Sequence, residues 1–247
     1  MRPDLEAAIS RIAVPDPRED RTPIGITGEL ARLLAWWDSV SVGSVPRSAI
    51  LTTTERPTDV DEALIVGVAT AERAIDQGAT LLVPRVAVRA PIAALTAIGL
   101  LTRTEASAIV FQPAGMTDRA WIDRCAAVRV AGVDVADLRA APLDALAALG
   151  ALDIAFVVGA LLAGAARRTP SLIDGTDELA AAVVADRLSF RAKEWWRAGS
   201  TSPDSARQAA IDRLDLNVGV PLDLIDDEGR GADATIALLD AMTRTRD

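Results

Sequence analysis

The chain has 247 residues, half of them hydrophobic and 25% charged, with a formal net charge of −9. That composition describes a globular protein, not a disordered one, and the negative balance argues against non-specific nucleic-acid binding. There is no histidine and only one cysteine, Cys125, so imidazole bases, histidine-ligated metals, an internal disulfide and cysteine-cluster metal sites are all excluded.

No run of about 18 uncharged apolar residues is present, so no membrane-spanning helix is expected. The first ten residues lack an apolar signal core, and the chain is placed in the cytoplasm. A length of this kind suits one large α/β domain, or one domain with a small satellite.

In chain order, residues 4–14 suit a short amphipathic helix stopped by Pro15. Residues 15–28 are rich in proline and glycine and read as irregular, and residues 29–40 read as a helix with Leu30, Leu33, Leu34 and Trp37 on one face. Residues 49–53 form a first strand. Asp59 or Asp61 would cap a helix running to about Gln77. A second strand follows at 80–83, then a helix opened by Pro91. Residues 106–111 read as a third strand, and a helix begins near Asp118. Residues 128–133 are ambiguous between helix end and strand, and 142–149 are helical.

The stretch 150–188 is the organising unit. Leu152, Phe156, Gly159, Leu162 and Ala166 recur at helical spacing, and a helix that carries both Gly159 and Gly164 must pack very closely on its neighbours. Pro170 blocks its continuation. Residues 171–173 then form a strand that ends in Asp174-Gly175, with a second helix after it. Ligands of open α/β sheets sit beyond the carboxyl ends of strands, so Asp174 is a candidate site residue by position. A fifth strand is expected near 190–196, a helix over 204–214, a short apolar segment over 220–225, and a last helix over 232–242.

The acidic loop at 226–231 has Gly229 and Gly231 beside its carboxylates, immediately before the last helix. Glycines permit close backbone approach, and a helix amino end favours anions; the same loop also reads as an acidic surface turn. Gly115 and Arg124 suit a phosphate or a solvated loop, Arg85 and Arg89 read as anion ligands or, in preference, as surface charges, and Trp195, Trp196 and Cys125 read as structural.

Together these segments resemble the nicotinate-nucleotide:dimethylbenzimidazole phosphoribosyltransferases. Pro23, Gly25, Gly28 and Leu30 match an early proline–glycine–serine–leucine–glycine stretch of that family, with Thr22 where a lysine is usual. Residues 63–82 look like its helix and "GADLL" strand. Residues 118–128 resemble a segment bearing a phosphate-binding lysine, with Arg124 at that place. Residues 142–188 resemble its "GGLEIA…GA…AA" helix, strand and Asp-Gly, and Ser200 falls near a family serine. The family loop "LGEGTGA" appears here as DDEGRGA, which puts Glu228 on the catalytic glutamate. In place of the glycine-rich phosphate loop the chain has residues 84–92, which bring Arg85 and Arg89 there.

The resemblance implies a three-layer, Rossmann-like, mostly parallel sheet covered by helices, with a small helical subdomain built from both chain ends. It divides the chain into 1–45, an α/β core at 46–225, and 226–247. It implies transfer of phosphoribosyl from nicotinate mononucleotide to a benzimidazole-type base, for the lower ligand of cobalamin, in a homodimer without metal or organic cofactor. Glu228 would be the base; Arg124, Asp174, Gly175, Ser200, Gly229, Gly231, Gly25 and Arg85 would hold substrate and phosphate. A non-catalytic relative, acting as partner subunit or small-ligand binder, is the alternative.

Overall fold

A computed structural model describes residues 3–15, 28–41, 45–225 and 229–244. Five parallel strands form one sheet: β1 (Ser48–Leu51), β2 (Leu81–Pro84), β3 (Ser171–Ile173), β4 (Trp196–Ser200) and β5 (Val218–Val220). Their order across the sheet is their order in the chain. The register pairs Ala49 with Leu82, Leu82 with Ser171, Ile173 with Ala198, and Ser200 with Val220. Every residue of β2, β3 and β4 is buried, as central strands of a helix-covered parallel sheet require, whereas edge strand β1 exposes Ser48 and Ile50.

Eleven α-helices of the described residues surround or extend this sheet. The first half supplies α1 (Pro3–Ser10), α2 (Gly28–Val40), α3 (Val60–Asp76), α4 (Pro91–Thr102), α5 (Ala106–Ile109) and α6 (Asp118–Asp134). The second half supplies α7 (Pro142–Ala148), α8 (Leu152–Ala166), α9 (Thr176–Leu188), α10 (Ser205–Leu214) and α11 (Arg230–Arg244). Of the two cap candidates for α3, Asp59 takes the role, accepting the Glu62 amide at 2.7 Å. Pro91 opens α4, where its missing N–H costs nothing. Thr117 caps α6, and Asp204 caps α10 through the amides of Ala206 and Arg207.

The core is centred on α8, buried from Ile154 to Ala165. Its two glycines explain its packing. A Cβ on Gly159 would fall on the Leu64 carbonyl of α3, and one on Gly67 of α3 would fall on the Phe156 carbonyl of α8. The two helices therefore touch backbone to backbone. Gly164 faces the other way, where a Cβ would lie 2.9 Å from the Leu82 side chain of β2.

Two expectations about strands are corrected. Residues 106–111 are not a strand: α5 and a short coil occupy them, with the Ala108 and Ile109 amides bonded to the Glu105 carbonyl. Because β2 pairs directly with β3, that crossover holds no strand slot. A short apolar run does not itself distinguish strand from buried helix. The strand expected at 190–196 is shifted; a 3-10 turn spans Ala192–Trp195 and β4 begins at Trp196. The Trp195 indole donates to the Ala13 carbonyl at 2.7 Å, which turns that side chain out of the sheet and toward the amino-terminal segment. The ambiguous run at 128–133 is helical within α6, and α1 stops at Ser10, short of the expected end near Pro15.

Candidate active site

The carboxyl ends of β2, β3 and β4 meet the amino end of α11. Asp174 follows β3 directly and is 3% exposed; Arg207 of α10 is 1% exposed. The Arg207 guanidinium donates to Asp174 Oδ1 at 2.5 Å. The other oxygen, Oδ2, accepts the Ala232 amide of α11 at 3.0 Å. Burial alone would strongly disfavour either charge, and the pairing with an added N–H is what makes both tolerable.

Glycine makes this approach possible. A Cβ on Gly199 would lie 2.6 Å from the Ala232 nitrogen and 3.0 Å from Asp174 Cβ. A Cβ on Gly231 would lie 2.5 Å from Ser200 Oγ. So β4 and the first turn of α11 lie in contact, and Ser200 is pressed between them. Ser200 is fully buried and its hydroxyl makes no hydrogen bond among the described residues. A buried hydroxyl without a partner is costly, and it stands beside a helix amino end, where backbone N–H groups and the dipole favour an anion.

Arg85 leaves the end of β2 and reaches the same turn. Its Nη2 donates to the Gly229 carbonyl at 3.4 Å and pairs with Asp233 at 3.1 Å. Arg89, four residues on, pairs with Glu178 at 2.8 Å and Asp177 at 3.4 Å, both in the first turn of α9. Arg85 is half-buried, its side chain 22% exposed, whereas Arg89 stays exposed at 36% while pairing with the buried carboxylates of Asp177 and Glu178. The cause is the direction of the chain beyond β2, which carries it across the start of α9.

That loop is stitched down along its backbone. The Val86 amide donates to Glu178 at 3.0 Å, the Ala87 and Val88 amides to Asp153 at 3.1 and 3.3 Å, and the Ala90 amide to Asp177 at 2.8 Å. Gly175 sits at φ 124°, open to glycine only, and a Cβ there would meet the Glu178 carboxylate.

Burial pushes the Glu178 carboxyl up to about 7, with Arg89 and the Val86 amide pulling the other way. The folded chain therefore binds this proton more tightly than the unfolded one. The associated stability is fully present below the ordinary glutamate value of 4.5 and is lost as pH rises through about 7. A loss of up to about 3 kcal/mol across that window is expected in urea unfolding, and Glu178→Gln should flatten it. Equal pH profiles for the two proteins would refute the assignment.

Among the residues singled out by sequence, the structure brings Asp174, Gly175, Ser200, Gly229, Gly231 and Arg85 to one end of the sheet. Arg124 is half-buried on α6, which packs against α4 and α5, and among the described residues no bond joins it to the Asp174 cluster. Glu228 and Gly25 lie outside the described residues. Among the described residues no group of histidine, cysteine, aspartate and glutamate is placed to hold a metal, and no helix is long and apolar enough to cross a membrane. Sequence reasoning missed Arg207, Asp177, Glu178 and Asp153. Acidic residues in a helix's first turn are ordinary complements to its dipole, so Asp177 and Glu178 carried no signal.

The model of a family described as "Phosphoribosyltransferase" matches residues 53–246. The nicotinate-nucleotide–dimethylbenzimidazole phosphoribosyltransferase of Streptomyces avermitilis is 38% identical over 186 residues, covering 73% of this chain and 48% of that protein. That of Corynebacterium glutamicum (strain R) is 30% identical over 224 residues, covering 86% of this chain and 62% of the relative. This chain spans about half the length of the curated relatives it matches. The crystal structure of CobT from Thermus thermophilus aligns with a TM-score of 0.66 at 27% identity, over 75% of this chain and 56% of that one. A second solved structure, titled as the nicotinate-nucleotide–dimethylbenzimidazole phosphoribosyltransferase of the same organism, shares the fold nearly end to end. Its TM-score is 0.75 at 19% identity, over 99% of this chain and 96% of that one. From the family match over most of its length and the identity to these relatives, the chain belongs to the nicotinate-nucleotide–dimethylbenzimidazole phosphoribosyltransferase family.

Proposed function

We propose that this chain transfers phosphoribosyl from nicotinate mononucleotide to a benzimidazole-type base, as a cytoplasmic homodimer. The observation that carries the reading is the convergence of Asp174, the unbonded Ser200 hydroxyl and the amino end of α11 at the carboxyl ends of the strands. Glu228 directly precedes Gly229 at that turn in the sequence.

In this reading the donor's 5′-phosphate is seated at Ser200 and the amino end of α11, whose Ala232 amide is held by Asp174, and Arg85 adds a positive charge beside them. The Glu228 carboxylate takes the N–H proton of the benzimidazole. The base's other nitrogen attacks C1′ of the ribose as the C1′–N bond to nicotinate breaks. The bonding pair stays on the pyridine nitrogen, so nicotinate leaves with its ring neutral, and the anomeric configuration inverts. Nothing in these steps needs a metal or a redox partner.

The test mixes the protein with nicotinate mononucleotide and dimethylbenzimidazole and measures released nicotinate. Turnover is expected, and Glu228→Gln should lower kcat by about 10²- to 10⁴-fold, the usual share of a positioned general base. Absence of turnover together with absence of binding of either substrate would overturn the reading.

A further inference from the structure

Asp174 and Arg207 join four separate parts of the chain through one ion pair. Asp174 ends β3. Arg207 lies in α10, its amide held by the Asp204 cap at 3.3 Å. While Nη2 donates to Asp174, Nη1 donates to the carbonyl of Leu224, beyond β5, at 3.4 Å. The second Asp174 oxygen holds the Ala232 amide in the first turn of α11. The chain thus leaves this pair at Leu224 and returns to it at Ala232. Leu224 is tied again through its amide to the Thr201 carbonyl at 3.0 Å, one residue past Ser200.

We propose that Arg207 is a positioning residue: acting through Asp174, it fixes the amino end of α11 against Ser200, and with it the seat of the ribotide phosphate. The proposal rests on the reading of function given above. A guanidinium suits the task because its planar fork meets two acceptors at once, whereas an ammonium is a single point charge. A helix amino end binds an anion well only when its N–H groups are already aimed, so the ion pair acts on donor affinity and not on bond breaking.

Arg207→Lys keeps the buried charge and removes the fork. It is expected to raise the KM for nicotinate mononucleotide about tenfold while leaving kcat nearly unchanged, the signature of lost binding common to ground and transition states. A residue that served stability alone would reduce the amount of competent enzyme, lowering kcat at unchanged KM, and that result would overturn the proposal. Amide hydrogen exchange in the substrate-free protein gives a second readout. In Arg207→Lys, exchange over residues 230–234 should quicken about tenfold while β3 and β4 stay as in the parent chain. Unchanged exchange there, or uniform acceleration throughout, would also overturn it. Should the parent chain and Glu228→Gln both release no nicotinate, the functional reading falls, and the exchange experiment still decides the role of Arg207.

Discussion

Gly159→Val is expected to lose at least about 3 kcal/mol of stability, read as a lower urea midpoint or a loss of soluble protein. Overpacking a core usually costs about 1–3 kcal/mol, because side chains rotate and neighbours shift. Here the obstacle is the Leu64 carbonyl of α3, and a backbone atom inside a helix has no rotamer to change. Relief requires α3 and α8 to move apart, which unpacks Ala63, Leu64, Phe156 and Ala160 together. Gly67→Ala should act in the same direction, since its Cβ would meet the Phe156 carbonyl. Against a typical total of about 5–15 kcal/mol, either change is severe. Gly132 is the control: it lies inside α6 with nothing near its Cβ position, so Gly132→Ala should stabilise by up to about 1 kcal/mol through helix propensity. Similar losses at Gly132 and Gly159 would show that the backbone contact is not the cause.

Asp174→Asn is the second large effect. It removes the Asp174 counter-charge from the buried Arg207 guanidinium, a change that costs about 3–5 kcal/mol. The asparagine also has one acceptor oxygen for the two donors, Arg207 and the Ala232 amide, that Asp174 now satisfies. Adding Arg207→Met to Asp174→Asn removes the buried guanidinium as well and should recover part of the loss, so the two changes are far from additive. Urea unfolding of both single variants and the double variant gives the coupling. Losses that simply add would mean the pair contributes nothing as a pair.

The sequence made the central unit legible because its punctuation is local. Pro170 forbids a longer helix, Asp174-Gly175 ends a strand, and alanine-rich turns on either side favour helix. Asp174 was therefore nameable from position alone. Its partner was not: Arg207 sits in a polar-looking helix, where arginine normally points to water. Only the tertiary fold brings it to Asp174 and the Leu224 carbonyl, where it is buried. The same limit applies to Arg89, whose acidic partners look like routine helix-start residues, and to the run at 106–111, whose apolar residues fit strand and helix equally well. Ser200 was singled out by resemblance alone, since local pattern read its surroundings as a loop. At Arg124 resemblance supplied a residue that, among the described residues, shares no bond with the Asp174 cluster.

The identity of strand order and chain order has a consequence for how the protein folds. Each strand docks beside the one made just before it, so the sheet can grow in a single direction as synthesis proceeds. One joint keeps this pattern but is slower: β3 adds to β2 only after the long crossover between Pro84 and Ser171 has collapsed behind it. Closing that crossover carries the largest chain-entropy penalty of any strand pairing in the sheet. It is the step expected to set the folding rate, with the already paired hairpin-free unit β1–α3–β2 waiting as an early platform.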